Sequence, residues 1–408
     1  VEFFARRLPV SRWDGAAYAQ AGDVAAYALE QDDFGIFLHG PRWRPAQRRR
    51  EEWAPPLLVA GTLADKIWKF TDFRLVQRDG GAAVAANMKF VAWAAAPSTM
   101  QPVPAAHAGG PERLLVAEGN PFLINPGNGT ASMWLGGVDL VDEGKCTTIF
   151  PTDFVGRMTG KVVNTVECHS SGFCFFSVWR FYDDALPAGD DCLWWCRTGA
   201  AGDPSSCAAS GVMLDDAGDP ICHRDGKGAV HGLTLGRTDP SDAGAFDLFL
   251  LFTGKPTFDA GESSIYRLRV KVDPRGADGR PPRTISAAPW GEDLWRRSVD
   301  RPAHDVGVDH AWIDDEGKYV WVGTFREKSD GVHMLEYDSG RLVHSILGVS
   351  ALRAGKYTYT SGVHGVGSAG QPGSLLAVAT CEKYGQQFMG GTSDLLLIDI
   401  SQLPRNAS

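Results

Sequence analysis

The sequence lacks the features that would assign it to a membrane protein or a nucleic-acid-binding protein. Its longest apolar stretches have the length of a strand, well short of the roughly 18 uncharged residues that a membrane-spanning helix needs. Of its 408 residues, 40 are basic and 49 are acidic, which gives a net charge of −9. The one basic cluster is the segment 42–50. The composition therefore indicates neither a membrane span nor a nucleic-acid surface.

Several catalytic and metal-binding motifs are also missing. There is no glycine-rich phosphate loop followed by Lys and Ser or Thr, and no Gly-x-Ser-x-Gly segment. Cys192 and Cys196 are separated by three residues, not by the two of a zinc knuckle or a redox pair. P-loop nucleotide hydrolysis, α/β-hydrolase chemistry and a zinc knuckle thus have no support in the sequence.

The composition that is present favours an all-β globular fold. Hydrophobic residues make up 44% of the chain and charged residues 22%, which is typical of a protein with a packed core. The chain has 48 glycines and 24 prolines, together about 18%, against a usual value of about 12%. These residues indicate many turns and short elements.

The cysteines predict disulfides in an oxidising compartment, secreted or lumenal. Seven of the eight cysteines lie within residues 146–222. We expect Cys192, Cys196, Cys207 and Cys222 to be bridged. Cys381 is expected to be a free buried thiol unless it pairs with Cys146 or Cys174.

Two other features agree with a secreted glycoprotein. Sequons for N-glycosylation begin at Asn128 and Asn406. The chain begins without Met or a long apolar signal core, which is compatible with earlier removal of a targeting segment.

One order of features recurs along the chain: a His, a turn rich in Gly, Pro or Asp, and β-rich runs separated by polar turns. The clearest copy spans residues 308–347, the copy at 229–286 is complete, and the copy at 362–400 lacks its outer strand. The copies begin with six marker histidines: His39, His107, His169, His231, His310 and His364.

A four-stranded unit repeated in this way predicts a β-propeller, because each small sheet needs neighbours to cover its faces. We expect six blades, with five or seven as alternatives. No clear fourth strand follows Ile400, so an early segment should supply it and close the ring by shared strands.

The domain prediction is a single propeller over residues 34–408. A cysteine-rich insertion is expected at about 183–228. Residues 1–33 are expected outside the ring, and the Ala-rich stretch 14–30 is compatible with a short helix weakened by two glycines.

The segment 310–347 resembles the blades of YVTN-type and selenium-binding-type β-propellers. In those blades an apolar strand follows a short Asp/Gly turn, and a Lys-Tyr-Val run like Lys318-Tyr319-Val320 opens the next strand. The resemblance covers about two blades and implies the propeller fold. It implies no activity, since the cysteine-rich amino-terminal motif of selenium-binding proteins is not found here.

The marker histidines predict a metal site. The first strand of each propeller blade lines the central channel, so one His per blade would place several imidazoles near one axis. Imidazole is a common ligand for zinc, copper, iron and nickel. The predicted ligands are His169, His231, His310, His364 and, next, His107. In the alternative interpretation each ring is structural and bonds to neighbouring groups.

Four residues near the markers are candidates for proton transfer. Glu167 and Asp309 are acids that would orient an imidazole or accept a proton, and Tyr357 and Tyr359 would contact a polar substrate. Ordinary pairing and packing is the alternative for each of them.

Three functions follow as hypotheses. The first is a metal-dependent enzyme with copper or iron, or else zinc or manganese, that performs redox chemistry on a small molecule. The second is a metal-assisted polysaccharide lyase or lactone hydrolase, in which Trp194, Trp195 and the segment 42–50 contact a carbohydrate substrate or its carboxylate. The third is a non-enzymatic secreted propeller that binds a protein or glycan. The sequence does not indicate an oligomeric state.

Overall fold

A computed structural model gives the fold of the chain. It describes residues 1–13, 18–29, 38–44, 48–49, 52–53, 57–62, 66–93, 100–103, 113–118, 137–142, 145–148, 161–180, 192–199, 203–222, 229–253, 264–273, 280–296, 307–314, 317–325, 331–347, 358–368, 371–382 and 393–403. The chain divides into two compact units. The first unit contains Val1–Val91 and Ala311–Ser408, and the second contains Ala92–His310.

The described elements are almost entirely strands. The first eight are β1 (Glu2–Trp13), β2 (Tyr18–Leu29), β3 (Leu38–Arg44), β4 (Arg48–Arg49), β5 (Glu52–Trp53), β6 (Leu57–Thr62), β7 (Lys66–Arg78) and β8 (Gly81–Trp93). Twelve more are β9 (Met100–Val103), β10 (Arg113–Glu118), β11 (Gly137–Asp142), β12 (Lys145–Thr148), β13 (Lys161–Cys168), β14 (Phe173–Arg180), β15 (Leu193–Gly199), β16 (Asp203–Val212), β17 (Ala229–Asp239), β18 (Asp242–Thr253), β19 (Ser264–Lys271) and β20 (Arg283–Trp290). After a short helix α1 (Asp293–Arg296) come β21 (Gly307–Ile313), β22 (Tyr319–Phe325), β23 (Gly331–Glu336), β24 (Leu342–Leu347), β25 (Thr358–Ser368), β26 (Gln371–Glu382), β27 (Ser393–Asp399) and a 3-10 turn (Ile400–Gln402).

The second unit contains three four-stranded sheets, β9–β12, β13–β16 and β17–β20, each with its strands in chain order. The pairings within them are antiparallel, so each sheet is a meander. In β18 the run from Phe246 to Phe252 is buried throughout. Apart from Asp247 the residues of this run are apolar, as expected for a strand that is covered on both faces.

The first unit is built on one 13-stranded sheet. Within it β21–β24 form one meander, β3, β6, β7 and β8 form another, and β25, β26 and β27 are followed by β2. The pair Ala26↔Ile398 joins β2 to β27, and Val10↔Ile346 joins β1 to β24. The predicted closure by an early strand is therefore confirmed, with β2 as the fourth strand beside β27.

Within the segment 1–33, which was predicted outside the ring, β1 and β2 are strands of the sheet of the first unit. The Ala-rich sequence of β2 is used on both faces. Ala26 and Ala28 pack into one apolar cluster, and Tyr27 and Leu29 pack into another. Small side chains permit close packing between covered faces, so Tyr18–Leu29 is a strand and not the helix considered from its composition.

The predicted cysteine-rich insertion at about 183–228 contains two strands in its described part. Its described part supplies β15 and β16, the third and fourth strands of the β13–β16 meander. The residues from Cys192 to Cys196 are buried. The composition of the whole segment is polar and Gly-rich, so it does not reveal the short apolar strand β15.

Repeated four-stranded antiparallel meanders are the blades of a β-propeller, so the predicted fold class is confirmed. The copies predicted at 229–286 and 308–347 correspond to β17–β20 and β21–β24. The blade number of six stays a prediction, since the meanders of the first unit merge into a single sheet.

Candidate functional site

The hairpin between β13 and β14 carries the best-described marker histidine. A disulfide joins Cys168 to Cys174, which face each other across the two strands. The backbone N–H of His169 donates to the carbonyl of Phe173 over 2.8 Å, and that of Gly172 donates to the carbonyl of His169 over 3.0 Å. Gly172 has a φ of 88°, a conformation that favours glycine. Covalent and backbone constraints therefore hold His169 in place.

The ring of His169 is fully engaged with protein groups. Its Nδ1 lies 2.8 Å from the hydroxyl of Ser171, and its Nε2 lies 2.9 Å from the hydroxyl of Thr238 on β17. The ring stacks on Phe246 of β18. Burial penalises the charged form and lowers the pKa of His169 to about 4. The imidazole is therefore neutral near pH 7.

These contacts occupy the ring of His169 with protein groups, and its predicted role as a metal ligand stays a prediction. A metal ligand needs a free lone pair on one ring nitrogen, and in His169 both nitrogens are bonded to hydroxyls. These hydrogen bonds fit the alternative structural interpretation of this residue. Its partners are the hydroxyls of Ser171 and Thr238 and the backbone N–H of Ser171, which donates to Nδ1 over 3.2 Å.

Three other predicted ligands fall on first strands of meanders: His231 on β17, His310 on β21 and His364 on β25. The β17–β18 register shifts between Val230 and Gly232, so His231 occupies a β-bulge, a feature that often re-aims side chains beside active sites. The side chains of these three histidines, and all of His107, lie outside the described part of the chain. Within the part that is described, no group of three His, Cys, Asp or Glu side chains could hold a metal ion.

Of the four residues predicted for proton transfer, Glu167 alone has a described side chain. It lies on β13 opposite Phe175 and is buried. Asp309 is on β21 and Tyr359 on β25, opposite Cys381. Tyr357 lies outside the described residues. The roles proposed for these four residues stay predictions.

The paired tryptophans are core residues. Trp194 is 7% exposed and Trp195 is 5% exposed. The indole of Trp195 packs against Phe173, with ring centroids 6.0 Å apart. Both indoles are therefore buried, which leaves them little surface for the predicted contact with a sugar. The side chains of the basic segment 42–50 lie outside the described set.

A buried histidine that sequence analysis missed lies in the first unit. His333 on β23 is fully buried. Its Nε2 lies 2.8 Å from the hydroxyl of Thr324 on β22, and its Nδ1 lies 2.7 Å from the hydroxyl of Ser345 on β24. One imidazole thus links three consecutive strands. The available signal was a His inside the apolar run Gly331–Glu336.

A buried carboxylate marks the β18–β19 pair of the second unit. Asp247 accepts hydrogen bonds from Arg267 on one oxygen, at 2.7 and 3.1 Å, and from Arg269 on the other, at 3.1 Å. Arg269 also pairs with Asp239 on β17. These opposite charges compensate one another across β17, β18 and β19. We therefore interpret the group as a contribution to the stability of the sheet.

The disulfide prediction is confirmed in part. Cys192 is bridged to Cys222, and Cys196 is also disulfide-bonded. The bridge between Cys168 and Cys174 was not among the predicted four residues. The side chain of Cys207 lies outside the described set, as do both sequons. The disulfides are compatible with an oxidising compartment.

No protein-family model matches the chain, and no curated protein matches it. Among solved structures it is similar to a gluconolactonase from Xanthomonas campestris, at 16% identity over 98% of this chain and 97% of that chain, with a TM-score of 0.47. It is also similar to the calcium-binding protein regucalcin from Agrobacterium tumefaciens, at 14% identity over 89% and 91% of the two chains, with a TM-score of 0.45. The Dos1 propeller gives 10% identity over 98% and 95%, with a TM-score of 0.37. Function has to be argued from the residues of this chain.

Among the described residues, no helix is long and apolar enough to cross a membrane.

Proposed function

We propose that the protein is a metal-dependent hydrolase of a small lactone or related ester, with His231 and His310 among its metal ligands. The observation that carries this proposal is the placement of both residues on the first strands of successive meanders, β17 and β21. In propellers the first strands surround the central channel. The boundary between the two units falls inside β21, directly after His310, so both residues belong to the second unit.

The contrast with His169 supports this choice. His169 follows the end of β13 and bonds to hydroxyls through both nitrogens, whereas His231 and His310 lie within their strands. His231 also occupies the bulge of β17. His107, which belongs to the same unit, stays in the predicted set of ligands.

The donor set fits a divalent metal used as a Lewis acid. Imidazoles suit zinc, copper, iron and nickel. When bound, such a metal would polarise the lactone carbonyl and lower the pKa of a water molecule. Hydrolysis requires no further reactant, whereas the redox alternative also needs an electron donor or acceptor. Asp309, next to His310, is the proposed proton acceptor, with Tyr359 as a substrate contact.

The disulfides support a location of the protein in an oxidising compartment. Two bridges account for four cysteines, and Cys196 is a fifth that requires its own partner. At least six of the eight cysteines are therefore bonded. We propose that the protein is secreted or lumenal, where disulfides persist.

Metal analysis of the purified protein and of single variants tests the proposal. His231→Ala and His310→Ala should each lose most of the bound metal and lower lactone hydrolysis by at least about 100-fold. His169→Gln is the matched control, because it changes a marker histidine that is bonded to hydroxyls and should keep the metal. Acid release from a panel of lactones measures activity.

Two outcomes would contradict the proposal. One is unchanged metal content in both ligand variants. The other is lactone hydrolysis that survives complete removal of metal by a chelator. Electron transfer to or from a small molecule without any hydrolysis would favour the redox hypothesis instead.

A further inference from the structure

A cavity of about 150 Å³ lies in the second unit, beside the β17–β20 sheet. Leu250 and Phe252 of β18 and Leu268 of β19 form its sheet side. These three side chains are buried and belong to the apolar cluster of the second unit. The cavity is therefore a pocket on one face of the sheet with an apolar base, and Ala287, which also lines it, is exposed.

The opposite wall is the chain that follows β16. Ile221 and Cys222 line the cavity from this side. The N–H of Ile221 donates to the carbonyl of Met213 over 2.9 Å, and the disulfide from Cys222 to Cys192 ties the segment to β15. The hydroxyl of Thr284 on β20 donates to the carbonyl of Leu214 over 2.6 Å. Covalent and hydrogen-bonded ties hold this wall against the sheet, so the cavity is formed in advance of any ligand.

Two polar side chains also line the cavity, Asp215 and Tyr266. One carboxylate oxygen of Asp215 accepts hydrogen bonds from the N–H groups of Ala217 and Asp219, at 3.0 and 2.9 Å. These bonds fix the carboxylate at the cavity. The ring of Tyr266 packs edge-on against Phe252 and so continues the aromatic lining.

We propose that this cavity binds a single aromatic ring that carries a cationic amine. A cavity of this volume lined by Leu, Ile and Phe is known to take up one benzene molecule in another protein. The apolar walls here therefore match one ring, and the fixed carboxylate of Asp215 matches a positive substituent and opposes a negative one. The site is distinct from the first-strand histidines and does not rest on the proposed hydrolase activity.

The test compares three probes of similar size: benzylamine, benzyl alcohol and benzoate. Calorimetric titration of the whole protein should give the order benzylamine, benzyl alcohol, benzoate, with a dissociation constant for benzylamine on the order of 0.1 to 1 mM. Asp215→Asn keeps an acceptor oxygen in the turn and removes the charge. It should abolish the preference for benzylamine over benzyl alcohol.

Neighbouring alanines on β20 provide a matched pair of variants. Ala287 lines the cavity and is paired with Leu268, whereas Ala288 is paired with Arg267 and points to the opposite face. Both are exposed. Ala287→Phe should fill the cavity and weaken benzylamine binding by at least about tenfold, Ala287→Leu should give a smaller loss, and Ala288→Phe should leave binding unchanged.

The outcomes are decisive in both directions. Failure of the unaltered protein to bind any probe at 10 mM overturns the proposal, as does equal binding by Ala287→Phe and the unaltered protein. Stronger binding of benzoate than of benzylamine overturns the assigned role of Asp215. Thermal unfolding of each variant confirms that it is folded before its titration is interpreted.

Discussion

The imidazole of His169 lies flat against the ring of Phe246, with centroids 3.9 Å apart and 15° between the planes. Within this contact the ring is 7% exposed. Burial disfavours the imidazolium and lowers the pKa of His169 to about 4, whereas a histidine in an unfolded chain has a pKa of about 6.5.

The first prediction is a pH dependence of stability that arises from His169. Between pH 6.5 and 4 the unfolded chain binds a proton that the folded protein excludes, so the free energy of unfolding falls as the pH falls. The full effect is on the order of 3 kcal/mol, present above pH 6.5 and lost by about pH 4. Denaturant unfolding at several pH values measures it. His169→Gln, which cannot titrate, should show a shallower fall over this range, and equal slopes would refute the prediction.

The meanders could be predicted from the sequence because their signals are local. His231 and His310 are each followed in the sequence by a polar turn and a β-rich run, and the structure has β18 and β22 at those runs. The role of His169 could not be predicted in this way. Its environment depends on Thr238 and Phe246, which are distant in sequence and meet it only after β17 and β18 pack against the hairpin.

Two segments were not predicted as strands because their average composition does not favour a strand. Tyr18–Leu29 is rich in Ala, which indicates a helix until both faces are seen to be covered in the sheet. Leu193–Gly199 sits in a Gly-rich, polar and cysteine-rich region, yet its first residues are buried. In both cases tertiary packing overrides the local preference.

The second prediction concerns the hydrogen bonds between Thr324, His333 and Ser345 in the first unit. His333→Ala should lower the free energy of unfolding by about 2 to 4 kcal/mol, since it leaves a cavity and two buried hydroxyls without their imidazole partner. Ser345→Ala removes one bond and should cost about 1 kcal/mol. Denaturant unfolding provides the measurement. Ser286→Ala, at an exposed position of β20, is the control. A cost for His333→Ala no greater than that of the control would show that the bonds contribute nothing.

The third prediction ranks the two described disulfides. The Cys192–Cys222 bridge spans 30 residues and the Cys168–Cys174 bridge spans 6. Because the longer loop loses more freedom in the unfolded chain, replacing both residues of the 192–222 pair by Ala should cost about 4 kcal/mol, against about 2 kcal/mol for the 168–174 pair. Thermal unfolding of the two double variants compares them.

A thiol titration of the denatured, unreduced protein checks the disulfide assignment itself. Since at least six of the eight cysteines are bonded, it should detect at most two free thiols. Three or more would mean that one of the assigned bridges does not form.

The last prediction is that the stability costs of replacing two arginines that share one carboxylate are not additive. Asp247 is 3% exposed, and each of its oxygens accepts from a different arginine of β19, Arg267 or Arg269. The arginine side chains are 28% and 29% exposed, so water screens them in part, whereas the carboxylate depends on its partners. Either Arg267→Met or Arg269→Met leaves one cation in place and should cost about 1 kcal/mol.

The double variant leaves the buried carboxylate without either arginine and should cost about 3 to 5 kcal/mol, more than the two single costs together. Adding Asp247→Leu to the double variant removes the buried charge and should recover part of this loss. Denaturant unfolding of the single, double and triple variants completes the comparison. Additive single and double costs would mean that the two arginines act independently and that neither compensates for the other at Asp247.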